Sequence, residues 1–200
     1  NLRALPTLKT LSDVALLSQA GYLTLKNYIG TTAYVGYPNE EVKTSMAQLY
    51  TERLLAGHTV EQVGADNISH RLATENVEAI FHLLNKLFSS IDYQKYPIRD
   101  EASIRAFVQV FFSGAGLSPI VETTTQKGRS DLEVKVGTRY WVFEFKVCKS
   151  TNGAKDLLNE AIFAVTKEEY GLQEQEEQIL RVALVFSLEK RKFTEFSQCD

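Results

Sequence analysis

Three acids and a lysine stand close together in one stretch: Asp131, Glu133, Glu144 and Lys146. Gly137-Thr138, midway between them, reads as a two-residue turn with glycine first, as a type II′ hairpin turn prefers. That turn sets Val136 opposite Arg139, Glu133 opposite Val142 and Asp131 opposite Glu144. Directly opposed residues point to one face of the sheet. Asp131, Glu133, Glu144 and Lys146 then share a face, and Leu132, Val134, Val136, Trp141, Phe143, Phe145 and Val147 share the other, apolar one. A slip of two residues would keep this division, whereas a slip of one would bury the charges and expose the apolar set.

Two carboxylates that face each other repel unless a cation sits between them. A hard divalent ion is one solution. Mg²⁺ takes oxygen ligands and binds through one or two carboxylates, completed by water and phosphate oxygens. Lys146 points the same way as Glu144 and could orient a water or offset phosphate charge. The other solution is a solvated sheet face on which Lys146 bridges the acids.

The elements around this hairpin read as follows. Up to about residue 90 the pattern is mostly helical. Helical spacing runs from Leu8 to Gln19, and Gly21 stops it. Tyr22–Tyr28 and Ala33–Tyr37 read as a hairpin. Asn39 caps a helix with a Val42, Met46, Leu49, Leu54 stripe. A short helix is expected over Val60–Ala65 and a strong one over Thr74–Phe88. Together they resemble a small winged-helix-like unit. Tyr96-Pro97 breaks the pattern. A helix over Ile104–Phe112 follows, with Asp100 and Glu101 in its first turn. Strands are expected at Ile120–Thr125, Asp131–Val136, Tyr140–Cys148 and Leu180–Leu188, with a helix over Ala154–Tyr170 and an edge strand at Phe193–Phe196. Mixed strands with a helical crossover imply an α/β layer fold. The expected division is 1–95 and 96–200.

The 200 residues are 44% hydrophobic and 24% charged, which excludes a disordered chain. No apolar run reaches the ~18 residues of a membrane span, and no secretory signal segment opens the chain. A cytoplasmic location is expected. The start at Asn1, without Met, reads as part of a longer protein. Two cysteines, Cys148 and Cys199, exclude a disulfide scaffold and a cysteine zinc site; three histidines exclude a histidine-rich metal site. A net charge of −3 excludes a strongly basic nucleic-acid binder but leaves room for a local basic patch.

Asp131 followed by Glu144-Phe145-Lys146 at the end of an apolar strand resembles the PD-(D/E)XK nuclease superfamily. The similarity is closer to one branch, bacterial proteins that join an AAA-ATPase-like region to a C-terminal PD-(D/E)XK nuclease domain. Gly128-Arg129-Ser130-Asp131-Leu132 resembles the branch's Gly-Arg-x-Asp-Leu strand, and Phe143-Glu144-Phe145-Lys146 its Phe-Glu-Phe-Lys. Gly21-Tyr22-Leu23-Thr24-Leu25-Lys26 and Gly36-Tyr37-Pro38-Asn39-Glu40-Glu41-Val42 resemble the segment after the ATPase-like region. The resemblance implies a restriction-endonuclease-like mixed sheet flanked by helices. It implies a Mg²⁺-dependent phosphodiesterase (Mn²⁺ a possible substitute), with Asp131 and Glu144 as metal ligands and Lys146 beside the attacking water. Glu101 matches a position where the family often places a further acid; the helix dipole explains an acid there equally well. Two departures stand out. Arg105 takes the place where the branch usually has His, and Ala164-Val165 before Tyr170 lacks the branch's Gln.

Other residues carry two readings each. Lys127 and Arg129, at the edge of the proposed site, could hold a phosphate backbone or be loop charge. Glu122 is a possible ligand or a solvent-facing strand residue. Lys190-Arg191-Lys192 could touch DNA or be a basic turn before an edge strand. Tyr22, Tyr28, Tyr34 and Tyr37 could stack on bases or pack their hairpin. No Gly-x₄-Gly-Lys-Ser/Thr loop occurs, so any ATP site lies outside this stretch. The expected function is a metal-dependent nuclease acting on nucleic acid, with DNA as substrate and an ATPase-like region upstream as partner. The alternative is a catalytically inactive module of the same fold that docks nucleic acid or protein.

Overall fold

The computed structural model describes residues 12–121, 124–125, 128–150, 153–167 and 178–199, with backbone alone at 124, 125, 128, 129 and 167. It falls into two compact units, 1–46 and 47–200. The first carries helix α1 (Asp13–Gln19) and a hairpin of β1 (Thr24–Ile29) and β2 (Thr32–Gly36). Ser12 caps α1 through Ala15 N–H. Gly30 turns the hairpin at φ +59°, a conformation that costs glycine little. Helix α2 (Glu40–Leu54) begins where expected, with Asn39 Oδ1 accepting Val42 N–H at 2.9 Å. Its expected apolar stripe is not buried as a whole: only Thr51 and Leu54 are, and Leu49 stays 43% exposed.

The second unit holds α3 (Ile68–Thr74), α4 (Val77–Ser89), α5 (Glu101–Gly114), α6 (Ala154–Lys167) and the main sheet. Val60–Ala65, expected as a helix, is a series of turns. The Gln62 side chain takes Thr59 N–H, and Gly64 adopts φ +70°. The strong helix expected from Thr74 begins three residues later, because Glu75 is extended and Asn76 caps α4 through Ala79 N–H.

The sheet has five strands in the order β3 (Ile120–Val121), β6 (Leu132–Val136), β7 (Arg139–Cys148), β8 (Gln178–Ser187), β9 (Lys192–Cys199). Neighbours are antiparallel except β7 and β8, which run parallel across the α6 crossover. The strand expected at 120–125 is broken: Thr124–Thr125 (β4) pairs instead with Gly128–Arg129 (β5) in a small separate ladder. The hairpin register is the one the turn dictates, with Val136 opposite Arg139, Glu133 opposite Val142 and Leu132 opposite Phe143. Gly137 takes φ +61°.

Alternation along β7 builds both faces. Trp141, Phe143 and Phe145 stack along one face, rings nearly parallel and 5.7 and 6.1 Å apart between neighbours. They share a core with Leu72, Leu84, Phe88, Val108 and Phe112 from α3, α4 and α5. Trp141 Nε1 donates to Leu72 O at 3.0 Å, so the buried indole has its partner. The other face lies against α6, where Val142 and Ala183 meet Ala161 and Val165. The sheet is therefore covered on both sides. The units divide between Met46 and Ala47 rather than at Tyr96-Pro97, since α3 and α4 can bury their apolar faces only in the core that the sheet completes. Among the described residues no helix is long and apolar enough to cross a membrane.

Candidate active site

Strand β6 is shorter than β7. Its pairing ends at Leu132 opposite Phe143, while β7 continues to Cys148. Beyond that point no strand among the described residues accepts the N–H groups of the β7 edge that faced β6. Phe145 and Val147, two apart and so directed to the same edge, meet this need through side chains. Phe145 N–H donates to Asp131 Oδ2 at 2.9 Å, and Val147 N–H to Glu101 Oε1 at 3.2 Å. Two carboxylates replace a missing strand, and this gathers Asp131 and Glu101 at one place.

Each acid arrives from its own element. Asp131 is the last residue before β6. Glu101 is the first residue of α5, which Asp100 caps by accepting Ser103 N–H at 2.9 Å. Arg105 follows Glu101 by one turn on the same helix face. Its Nη1 donates to Asp131 Oδ1 at 3.1 Å, and both side chains are 18% exposed. On the face toward α6, Lys146 Nζ donates to Glu144 Oε1 at 2.8 Å. A cleft of about 420 Å³ is bordered by Asp100, Glu101, Arg105, Asp131, Phe145 and Lys146.

Burial alone would lower the Lys146 pKa. The hydrogen bond and charge of Glu144, aided by the charges of Asp131 and Glu101, outweigh it and raise the pKa above its ordinary value. Lys146 is therefore an ammonium at neutral pH: a hydrogen-bond donor and a fixed positive charge, not a base.

The expected residues thus divide. Asp131, Glu101 and Lys146 border one cleft. Glu144 reaches it through Lys146 and is itself only 7% exposed. The register sets Asp131 opposite Glu144 one step beyond the last ladder pair. Yet each acid holds a separate cation, Arg105 on Asp131 and Lys146 on Glu144, rather than sharing Lys146. The charged face is not uniformly solvated: Glu133 and Glu144 are enclosed, while Asp131 and Lys146 border the cleft. Glu133 shows this best. It is 4% exposed, accepts Ser130 Oγ at 2.6 Å on one oxygen and the Tyr140 hydroxyl on the other. Lys127, Glu122 and Tyr170 lie outside the described residues, as does the side chain of Arg129, whose backbone pairs with Thr124.

Sequence reasoning saw Arg105 only as a missing His. The signal that could have found its role is its spacing of four from Glu101, which puts both on one helix face.

Among the described residues no group of three or more His, Cys, Asp or Glu is gathered as a metal cluster. The donor chemistry nonetheless fits a hard divalent ion. Asp131 and Glu144 offer carboxylate oxygens, each already drawn to a positive group, and Mg²⁺ requires only one or two carboxylates from the protein.

A protein of Azotobacter chroococcum mcd 1, described as an uncharacterized protein in the vnfD 5′ region, is 30% identical over 159 residues. The match covers 74% of this chain and 30% of that protein, so the chain spans less than a third of the relative's length. Residues 99–196, from the start of α5 to the middle of β9, match the sequence model of a family described as the PD-(D/E)XK nuclease superfamily, and the mixed five-stranded sheet between helices is the restriction-endonuclease-like fold of that superfamily.

Proposed function

We propose that this chain is a metal-dependent nuclease that hydrolyses phosphodiester bonds of DNA. The observation that carries the reading is the set of groups at the place where β6 leaves β7. Asp131 and Glu101 take the open N–H groups of β7, and Lys146, protonated, borders the same cleft beside Glu144. Asp131 and Glu144 would hold a Mg²⁺ ion, or Mn²⁺ in its place. Bound there, the ion would supply Lewis acidity to a phosphate oxygen and to water.

The residues of the chain do the rest. Hydrolysis adds a water oxygen to phosphorus and breaks one P–O bond, leaving a phosphomonoester and a hydroxyl. Lys146 donates hydrogen bonds and places positive charge where phosphate oxygens gain negative charge. Glu101 ties the α5 N-terminus to β7 through Val147 N–H and fixes one wall of the cleft. Lys127 and Arg129 would grip the backbone beside the cleft, and an ATPase-like region upstream in the full-length protein would be the partner.

The test is a nicking and linearisation assay on supercoiled plasmid, with purified protein in Mg²⁺ and in chelator. Metal-dependent cleavage by the wild type that Asp131→Ala abolishes is the expected result. Absence of cleavage on every DNA and RNA tried, with no metal bound, would instead favour a non-catalytic docking module. One observation points toward that second reading: Arg105 stands on Asp131 where the related branch carries His.

A further inference from the structure

The cleft and its wall gather four carboxylates, Asp100, Glu101, Asp131 and Glu144, against two cations, Arg105 and Lys146. The chain as a whole has a net charge of −3. Such a cleft does not attract a polyanion by itself, so a chain that acts on DNA needs cationic surface outside it. The sequence has one run of consecutive cations, Lys190-Arg191-Lys192, where β8 turns into β9. The fold brings this turn to the cleft's end of the sheet. Strands β7 and β8 run parallel and leave the sheet together: Cys148 lies opposite Ser187, and Cys148 O accepts Leu188 N–H at 2.9 Å. Glu101 holds Val147 at that same end. With neighbouring strands about 4.8 Å apart, the turn stands roughly 10–15 Å from the cleft, the span of about three or four nucleotides on one DNA strand. Lys149, directly after β7, adds a fourth exposed cation there.

The turn is held in place from three sides. Ser187 Oγ accepts Lys190 N–H at 3.2 Å. Asn85 of α4 grips Phe193 twice, Oδ1 accepting its N–H at 2.8 Å and Nδ2 donating to its carbonyl at 3.0 Å. Arg191 adopts φ +52°, which a side chain disfavours, and its guanidinium lies over the Tyr93 ring, 5.2 Å from the centre. All three cations are exposed, and the turn's one acid, Glu189, is exposed beside them. Cations on a turn already fixed lose little freedom when they meet phosphates.

We infer that Lys190, Arg191 and Lys192, with Lys149, form a docking surface for the DNA phosphate backbone on the β8 side of the cleft. The inference rests on the nuclease reading above and deepens it by naming the surface that holds the substrate away from the reacting bond. The turn touches phosphates several nucleotides from that bond, so it binds the substrate and the transition state equally. Its contribution therefore falls on affinity and leaves turnover of bound DNA unchanged. Contacts to phosphates alone carry no sequence preference.

The test uses the whole chain and a short fluorescein-labelled DNA duplex, followed by anisotropy in Ca²⁺ over a series of salt concentrations. The triple variant Lys190→Ala, Arg191→Ala, Lys192→Ala should bind the duplex at least about tenfold more weakly than wild type, with a salt dependence shallower by about two to three phosphate contacts. The double variant Lys190→Arg, Lys192→Arg should bind like wild type, because charge is what the surface supplies. Glu189→Gln should bind about twofold more tightly, the scale of one exposed charge pair. In Mg²⁺ the triple variant should raise the KM for plasmid cleavage and leave kcat unchanged. Folding is checked by circular dichroism. If the triple variant does not fold, Lys190→Gln with Lys192→Gln, which leaves Arg191 on Tyr93, carries the measurement. Unchanged affinity and salt slope in a folded charge-removing variant overturn the inference, as does a wild type that binds no duplex at low salt. An oligo-aspartate peptide that binds the turn more tightly than the duplex does overturns it in favour of an acidic protein partner. Wild type that cleaves DNA while the variants bind as it does leaves the nuclease reading standing without this surface. Wild type that binds DNA through the turn and cleaves nothing leaves the surface standing without the nuclease.

Discussion

Glu133 lies in β6, Asp131 directly precedes it, and both carry a carboxylate, yet they live in different chemistries. Glu133 is enclosed, and its two oxygens accept neutral hydroxyls, from Ser130 and Tyr140. Asp131, where the ladder gives out, accepts a backbone N–H and a guanidinium at the border of a cleft. The first set of partners cannot leave without stranding a buried carboxylate. The second includes a guanidinium from another element, α5. Position relative to the end of β6 therefore separates an enclosed acid from one at the border of a cleft.

The sharpest way to break this contrast is to remove the two proposed metal ligands. Asp131→Ala and Glu144→Ala should each cut plasmid cleavage in Mg²⁺ by at least about 100-fold, the scale of losing a charge-stabilising group. If either variant cleaves like wild type under chelator control, the cleft is not the reaction centre. Lys146→Ala should lose about 100-fold as well, but its Mn²⁺ binding should persist, since the ammonium is no metal ligand. Loss of binding together with cleavage would move Lys146 into the scaffold.

The enclosed acid should fail in the opposite way. Glu133→Ala takes the acceptor from the buried Ser130 hydroxyl and the half-buried Tyr140 hydroxyl and should cost about 1–3 kcal/mol in urea unfolding. Turnover per folded molecule should stay near wild type well below the melting temperature. A variant as stable as wild type but inactive would erase the distinction drawn here. The smallest effect, about 1 kcal/mol, is expected for Asn76→Ala, which removes the α4 cap and touches neither acid. That value sets the scale against which Glu133→Ala is judged by the same unfolding curve.

The hairpin was legible because two independent signals agree on it. Gly137-Thr138 fixes the turn, and the apolar alternation of Leu132 to Val136 against Trp141 to Phe145 rejects any slip of one residue. The α/β class and the parallel crossover followed from strand and helix order. What the sequence did not reveal depends on contacts between distant segments. Glu133 shares a period with Asp131, and only the packing of α6 and the reach of Tyr140 make it a buried acid. The ion pair of Arg105 depends on how α5 lies along the end of β6. The turns at Val60–Ala65 follow from one side chain, Gln62, capturing a backbone N–H, which helical periodicity does not register.

The parallel pairing of β7 with β8 also has a consequence for how the chain folds. The β6–β7 hairpin closes through a two-residue turn and can form on a microsecond scale of about 1–10 μs. Strand β8 pairs with β7 only after α6 and the chain beyond it have closed a much longer loop. Until then a strand rich in Trp and Phe presents one edge unprotected, the kind of segment that nucleates intermolecular sheets. Glu144 and Lys146 interrupt its apolar run with opposite charges, the pattern by which gatekeeper residues keep such segments from associating. Refolding at high concentration should accordingly yield less soluble protein for a Glu144→Ala, Lys146→Ala double variant than for wild type; equal yields would confine the two charges to the cleft.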